Sequence, residues 1–395
     1  VASRGSARFM ATRVSGLDAE ASYGESRISA RGAFGGSKDE LDWTVEIPQL
    51  ADLVPQVAAR LQAGGTLTGT WQTPRIAASA RATALKLPGE LAFDPVSAKL
   101  NGTLSSHALQ ISAATPEAKL DAQLAGGWDG NAWVGRLQRL AIAGPYPLEL
   151  LAPAPLEIAR RRIELGRVEA ALGEGRLFVR ELQWSGERLS SSGRFDGLPA
   201  RLLLIAAGLS QRAHSTLLLD GQWSIASSPE LNGTISLRRA SGDLALADGT
   251  RIDLGLTGVS LDARFDAGRL SAKANVATRF GTAALHGELG PAPQAPGLGF
   301  GAASPLSFEA RIEAAGLRSI TQRLSQARFD GRLSAVLRGS GTLGAARIDG
   351  TLRGEALSVD FPPYGVYLRD GVLRAVLEGE RLPQLGDDVV IAGAP

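Results

Sequence analysis

Apolar residues recur at every second position along most of this 395-residue chain, and that period is the strongest constraint on what it can fold into. In LSAVLRG (333 to 339), Leu333, Ala335 and Leu337 alternate with Ser334, Val336 and Arg338; LRAVLEG (373 to 379) repeats the pattern with Leu373, Ala375 and Leu377. LDAQLAG (120 to 126) places Leu120, Ala122 and Leu124 in the same way, and LDARFDA (261 to 267) places Leu261, Ala263 and Phe265. Successive side chains of a strand point to opposite faces, so each stretch reads as a strand with one apolar face. The spacings between copies are unequal, so any repeat unit is loose in length.

Further alternating runs, among them RIAASARATALKL, LNGTISLRR and RIDGTLRGEALSVDF, are bounded by Gly, Asp-Gly or Asn-Gly and predict an all-β chain with turns every ten or so residues. Asp370-Gly371 predicts a tight hairpin between flanking strands, with Leu368 near Leu373. Gly350 and Gly354, inside a run, predict a bulge or a close backbone approach. Asn101-Gly-Thr and Asn232-Gly-Thr match a glycosylation acceptor, and Asn-Gly turns explain them equally well. Three segments break the beat and predict short amphipathic helices near 48–63, 198–212 and 316–326. Interruptions at Gly144 to Pro155 and Gly290 to Pro305 divide the chain into expected segments 1–143, 144–290, a Gly/Pro-rich loop at 291–305, and 306–395.

Reactive chemistry is hard to assemble from this composition. There are no cysteines, so thiolate metal sites and disulfides are excluded. His107, His214 and His286 stand isolated, without partners at ligand spacing, and read as surface or strand-end residues. GSGTLG satisfies G-x-G-x-x-G through Gly339, Gly341 and Gly344, but an alternating run follows where the fingerprint needs a helix, so it reads as a hairpin connection. Arg160, Arg161 and Arg162 are interleaved with Glu157, Glu164 and Glu169 and read as a solvated strand face. We expect no enzyme activity, no cofactor and no metal. Lys and Arg total 42 against 40 Asp and Glu, a formal charge of +2 that gives no reason to expect a nucleic-acid partner. No apolar run approaches the roughly 20 residues of a membrane helix. The first residues lack an initiator Met and the last lack a closing element, so the chain reads as an internal piece of a longer protein.

The apolar faces have two readings. Two sheets can bury them against each other as a sandwich. Against this, aromatics make up only 5% of the chain and small Ala alternates with Leu, whereas sandwich cores are filled by large side chains at high density. A slim apolar lining leaves room for an acyl chain, each methylene of which contributes about 0.8 kcal/mol on burial.

GEALSVDFPPYGVYLRDGVLRAVLEGERL (354 to 382), LNGTISLRRASGDLAL (231 to 246) and GNAWVGRLQRLAIAG (130 to 144) resemble the TamB branch of the AsmA-like family of bridge proteins, and the likeness covers most of the chain from about residue 45. The resemblance implies a mostly-β, elongated sheet folded lengthwise into a groove, a β-taco, with a few short amphipathic helices. It implies a periplasmic location with an inner-membrane tether at an N-terminal helix outside this sequence, movement of phospholipid toward the outer membrane, and partnership with the outer-membrane barrel protein TamA through regions also outside it. The family offers no catalytic residues to carry over. The expected groove lining therefore comes from alternation alone: Leu120, Ala122, Leu124, Leu261, Ala263, Phe265, Leu333, Ala335, Leu337, Leu373, Ala375 and Leu377, in contact with phospholipid acyl chains. Three function classes stay open: a lipid conduit, a scaffold for membrane-barrel assembly, and a passive sandwich spacer.

Overall fold

A chain of alternating strands joined by short turns satisfies its backbone N–H and C=O groups most directly by pairing each strand with its sequence neighbours. The computed structural model describes residues 2–10, 12–54, 57–86, 92–186, 188–206, 213–248, 250–292, 299–315, 328–361 and 366–381. Contacts divide the chain into two units, Val1–Gly186 and Glu187–Pro395, each built almost wholly of antiparallel strands. The mostly-β class expected from the alternation is the class the chain adopts.

In the first unit, Ala2–Met10, Arg13–Tyr23, Ser26–Phe34, Glu40–Ile47, Ala58–Thr70 and Thr73–Lys86 pair one after the next. Val96–Thr103, Ser106–Ala114, Lys119–Trp128 and Ala132–Ala143 continue the meander. The next two strands are each broken. Leu148–Leu150 and Ala154–Ala159 both pair with Ala132–Ala143, and the break falls at Pro153, which has no N–H to add to a ladder. Arg162–Leu165 and Val168–Leu172 follow the same break, and Gly175–Ser185 pairs with both halves. At this kink the apolar face closes on itself: Leu150, Ala154, Val168 and Ala170 form a buried cluster with Leu137, Leu140 and Leu177 against it. Ala154 and Ala170 are 0% and 1% exposed, so only small residues fit there.

The second unit runs from Arg188–Pro199 through Leu218–Ser227, Leu231–Ser241, Leu256–Asp266, Arg269–Thr278 and Gly281–Leu289. Pro305–Ala315, Arg328–Thr342, Ala345–Phe361 and Val366–Arg381 complete it. A small module interrupts this order: the helix Ala200–Ala206 and a sheet of Ala213–Ser215, Leu244–Asp248 and Thr250–Asp253. It packs onto the main sheet through Ala200, Leu217, Leu219 and Leu256, with Phe195, Leu244, Leu254, Val259 and Val276 alongside. Asp243 fastens it, accepting backbone N–H groups from Leu244, Gly255 and Leu256 at 2.8 to 2.9 Å, while its own N–H donates to Thr216 Oγ1.

Several local expectations change. Near 48–63 there is a single 3-10 turn, Leu50–Asp52, and from Ala58 the chain is strand, because pairing on both sides satisfies its backbone and Gly64 and Gly65 weaken a helix. Near 198–212, Leu198 and Pro199 still belong to a strand, the helix occupies Ala200–Ala206, and 207–212 lie outside the described residues. The segment 316–326 also lies outside them. The interruption at Gly144 to Pro155 falls inside the first unit, and Gly290 donates to Pro305 O at 2.8 Å as the second interruption joins two directly paired strands. Asp370-Gly371 makes no hairpin. Asp370 takes the expected positive φ, +56°, but as a bulge inside Val366–Arg381, where Leu357 opposes Gly371 and Val359 opposes Leu368. Asn101-Gly102 and Asn232-Gly233 likewise lie within strands, beside the turns rather than in them. Gly339, Gly341 and Gly344 do sit at a hairpin, Thr342 pairing with Ala345.

Two outcomes follow from these packed spots. Ala154→Leu is expected to lower stability by roughly 1–3 kcal/mol, as overpacking does, read as a reduced denaturant midpoint, while Ala77→Leu on an exposed strand position leaves it unchanged. Burial alone pushes the Asp243 carboxyl up, but its three N–H donors and the Arg279 charge outweigh that and hold it below the usual carboxylate range. A depressed folded value gives stability that is present above the unfolded value and lost as pH falls through the folded one. Asp243→Asn is therefore expected to flatten the acid limb of the stability curve below about pH 4, measured by chemical denaturation across pH.

Candidate functional site

Directly opposed residues of an antiparallel pair share a face of the sheet, so the registers show which side chains line up across many strands. In the first unit, Leu61, Ala82, Val96, Ala113, Leu120 and Ile142 form one row. Beside it lie Ala63, Ala80, Ala98, Ile111, Ala122 and Leu140, then Gly65, Ala78, Leu100, Leu109, Leu124 and Leu137. In the second unit, Leu237, Leu261, Ala274, Leu285, Ala310 and Leu337 form a row that continues through Gly350 to Leu377. On one side of it run Val276, Ala283, Ile312, Ala335, Leu352 and Ala375, and on the other Ile235, Ala263, Ala272, Gly287, Phe308 and Gly339. Every member of these six rows is apolar or glycine.

Continuity across so many hairpins needs correction wherever the beat slips. Leu137 and Leu140 are three apart, yet both face the rows, because a bulge puts Gln138 and Arg139 together on the other side. Phe195 and Leu198 are reconciled in the same way. Phe308 and Trp133 are also accommodated over glycine. A Cβ on Gly339 would collide with the Phe308 ring, and one on Gly126 or Gly135 with the Trp133 ring, so Phe308 lies over the glycine opposite it and Trp133 over two glycines of the neighbouring row. Trp133 is held there by its indole N–H, which donates to His107 Nε2 at 2.8 Å; His107 Nδ1 lies 2.9 Å from Thr103 O, which sets the neutral tautomer with hydrogen on Nδ1.

These rows are covered in places, Val276 by the small module and Leu137 and Leu140 by the cluster at Ala154, and left open in others. Leu285 and Ile312 are both 39% exposed although they stand mid-sheet, values that a face-to-face sandwich does not allow. The opposite face is polar: Asp262, Lys273, His286, Glu309, Arg338 and Asp349 line up behind the second unit's rows. Hydrogen bonds from Arg338 and Arg311 hold the Glu309 carboxyl below the usual range. Among the described residues no group of three His, Asp or Glu side chains is placed to hold a metal ion, and no helix is long and apolar enough to cross a membrane.

The structure places Leu120, Ala122 and Leu124 in three adjacent rows of the first unit. In the second, it brings Leu261, Leu337 and Leu377 into one row, Ala335 and Ala375 into the next, and Leu333 and Leu373 into a third on either side of Gly354. Ala263 and Phe265 sit in the two rows beyond Leu261. What sequence reading missed is the glycine and aromatic complement, Gly65, Phe308, Trp133 and His107; the signal, a glycine beneath a ring, exists only once register is known. Comparison with known protein families, with curated proteins and with solved structures finds no match.

Gly339→Ala is expected to lift the Phe308 ring and cost roughly 1–3 kcal/mol. Adding Phe308→Ala should recover much of that loss, and a double-mutant cycle on unfolding free energy measures the coupling.

Proposed function

We propose that the apolar rows are a track for phospholipid acyl chains, and that the chain is part of a bridge-like periplasmic protein that conducts lipid between inner and outer membranes in support of outer-membrane biogenesis. The carrying observation is the combination of unbroken apolar rows with half-exposed side chains on one face and paired charges on the other. An exposed apolar face of this extent is a binding surface or a liability. A lipid tail suits it because each buried methylene contributes about 0.8 kcal/mol wherever along the row it sits. Such a track needs continuity and low relief rather than reactive groups, and rings over glycine supply the low relief.

The resemblance to the TamB branch supports the same reading and adds the expected tether and the TamA partner. A scaffold for barrel assembly is the second reading, favoured by Val366–Arg381, which pairs with one strand among the described residues and has Val372 and Val376 69% and 68% exposed, because the N–H and C=O groups of a sheet edge accept a further strand. A spacer requires a filled core, and the packed clusters at Ala154 and Ala200 are local.

Organic extraction and mass spectrometry of the purified chain test the proposal. Stoichiometric phospholipid is expected on the parent, and its loss from a Leu337→Arg, Leu377→Arg double variant of equal circular dichroism. These two residues share one row across Gly350, so two charges there interrupt the track without entering a closed core. Lipid-free parent protein, or full retention by the folded variant, would overturn it.

A further inference from the structure

One rim of the first unit carries polar and charged chemistry that a bare acyl track does not use. Trp128 opposes Trp133, Trp133 opposes Ile158, Ile158 opposes Ile163 and Ile163 opposes Trp184, so five strands contribute one outer row on the apolar face. Trp128, Ile158 and Trp184 are 39%, 38% and 40% exposed. The next row inward, Leu156, Leu165 and Leu182, leads into the apolar rows. Among the described residues the Trp133 indole N–H is taken by His107, while those of Trp128 and Trp184 have no hydrogen-bond partner.

Beside this row, Arg160 and Arg161 form the two-residue turn of the hairpin closed by Ala159 and Arg162. Arg162 is held by Glu157 and Glu164. The Asp129 carboxylate at the adjacent turn accepts the N–H groups of Asn131 and Ala132, both at 2.8 Å. The acidic groups nearest the turn are thus occupied, and Arg160 and Arg161, both exposed, have no ion-pair partner among the described residues. Two free guanidiniums next to a row of amphipathic indoles combine bidentate phosphate recognition with side chains suited to an interface between oil and water.

We propose that this rim, Arg160 and Arg161 with Trp128 and Trp184, receives the phosphate headgroup of a glycerophospholipid whose acyl chains lie on the rows behind it. The inference rests on the acyl-track reading and adds to it the place where the headgroup rides and the side chains that hold it.

The test titrates two ligands into the whole chain below their aggregation concentrations: dihexanoylphosphatidylglycerol, and dihexanoylglycerol, which has the same tails and no phosphate. Tryptophan emission reads binding in the parent and in an Arg160→Gln, Arg161→Gln variant, whose changes lie in an exposed turn. The parent is expected to prefer the phospholipid by about tenfold, the scale of one charge-assisted hydrogen bond, and the variant to lose that preference while keeping its affinity for dihexanoylglycerol. Equal binding of both ligands by the parent, or a preference that survives in the variant, overturns the headgroup site and leaves the track standing. A parent that binds neither ligand overturns the track and the site together. A variant that loses adsorption to phosphatidylglycerol vesicles yet binds the short-chain phospholipid normally places the arginines at a bilayer surface, which also overturns the carried-headgroup assignment.

Discussion

Face parity across hairpins is the constraint on which everything else in each unit depends. Side chains alternate with a period of two, so a one-residue slip at any turn transfers a whole strand's apolar set to the other side. The rows through Leu124 and Leu337 persist over many consecutive pairings only because each connection, short or long, and each bulge keeps the count. Where the sequence spaces two leucines three apart, as at Leu137 and Leu140, the bulge absorbs the extra residue and returns the apolar set to its side. The bulge at Asp370 acts within the last strand in the same way, letting it stay paired with Ala345–Phe361 along its length.

The two faces then divide the physical work. Polar residues pair across strands, as with Arg31 and Asp18 at 3.3 Å and Arg338 and Glu309 at 3.1 Å, in exposed positions where such pairs contribute little to stability and much to solubility. The apolar face closes where backbone breaks permit it. At Pro153 the kink folds Leu150 and Val168 together around two alanines, and at Asp243 a carboxylate ties three N–H groups so that the small module settles on Phe195 and Val259. The face is closed as well at Phe265, where the Phe300 ring lies 6.3 Å away, and stays half open at Leu285 and Ile312. An apolar surface that no element of its own unit covers remains available to an apolar ligand, which is why packing and proposed function bear on the same residues.

Strand class, alternation and the shared face of the twelve residues were legible because period two is a local signal, carried by neighbours such as Leu120 and Ala122; the burial of Ala122 and Phe265, at 8% and 9% exposure, was not. The hairpin at Gly339 to Gly344 was legible for the same reason. Asp370-Gly371 was misread because a positive φ suits both a tight turn and a bulge, and the pairing partner Leu357, far away in sequence, decides between them. The helical spacing near 48–63 survives only in the 3-10 turn Leu50–Asp52, with the Val54 N–H on Leu50 O at 2.9 Å, and from Ala58 ladder hydrogen bonds on both sides hold the chain as strand. His107 looked like an isolated strand-end histidine; its partner Trp133 sits two strands away across Lys119–Trp128.

By itself the sequence determined that these strands have one oily and one polar side, that no thiol chemistry occurs, and that glycines interrupt the alternation at particular points. Those are properties of residue type and nearest-neighbour spacing, which need no partner strand. The tertiary structure decided which residues from distant strands share a row, which glycines lie beneath rings, and where the apolar face is closed or open. It also set Arg160 and Arg161 beside a row of indoles drawn from three different strands. The reason is that register and bulges are settled by the whole set of pairings at once, and a side chain's neighbours across a sheet are fixed by that count rather than by anything adjacent to it in the chain.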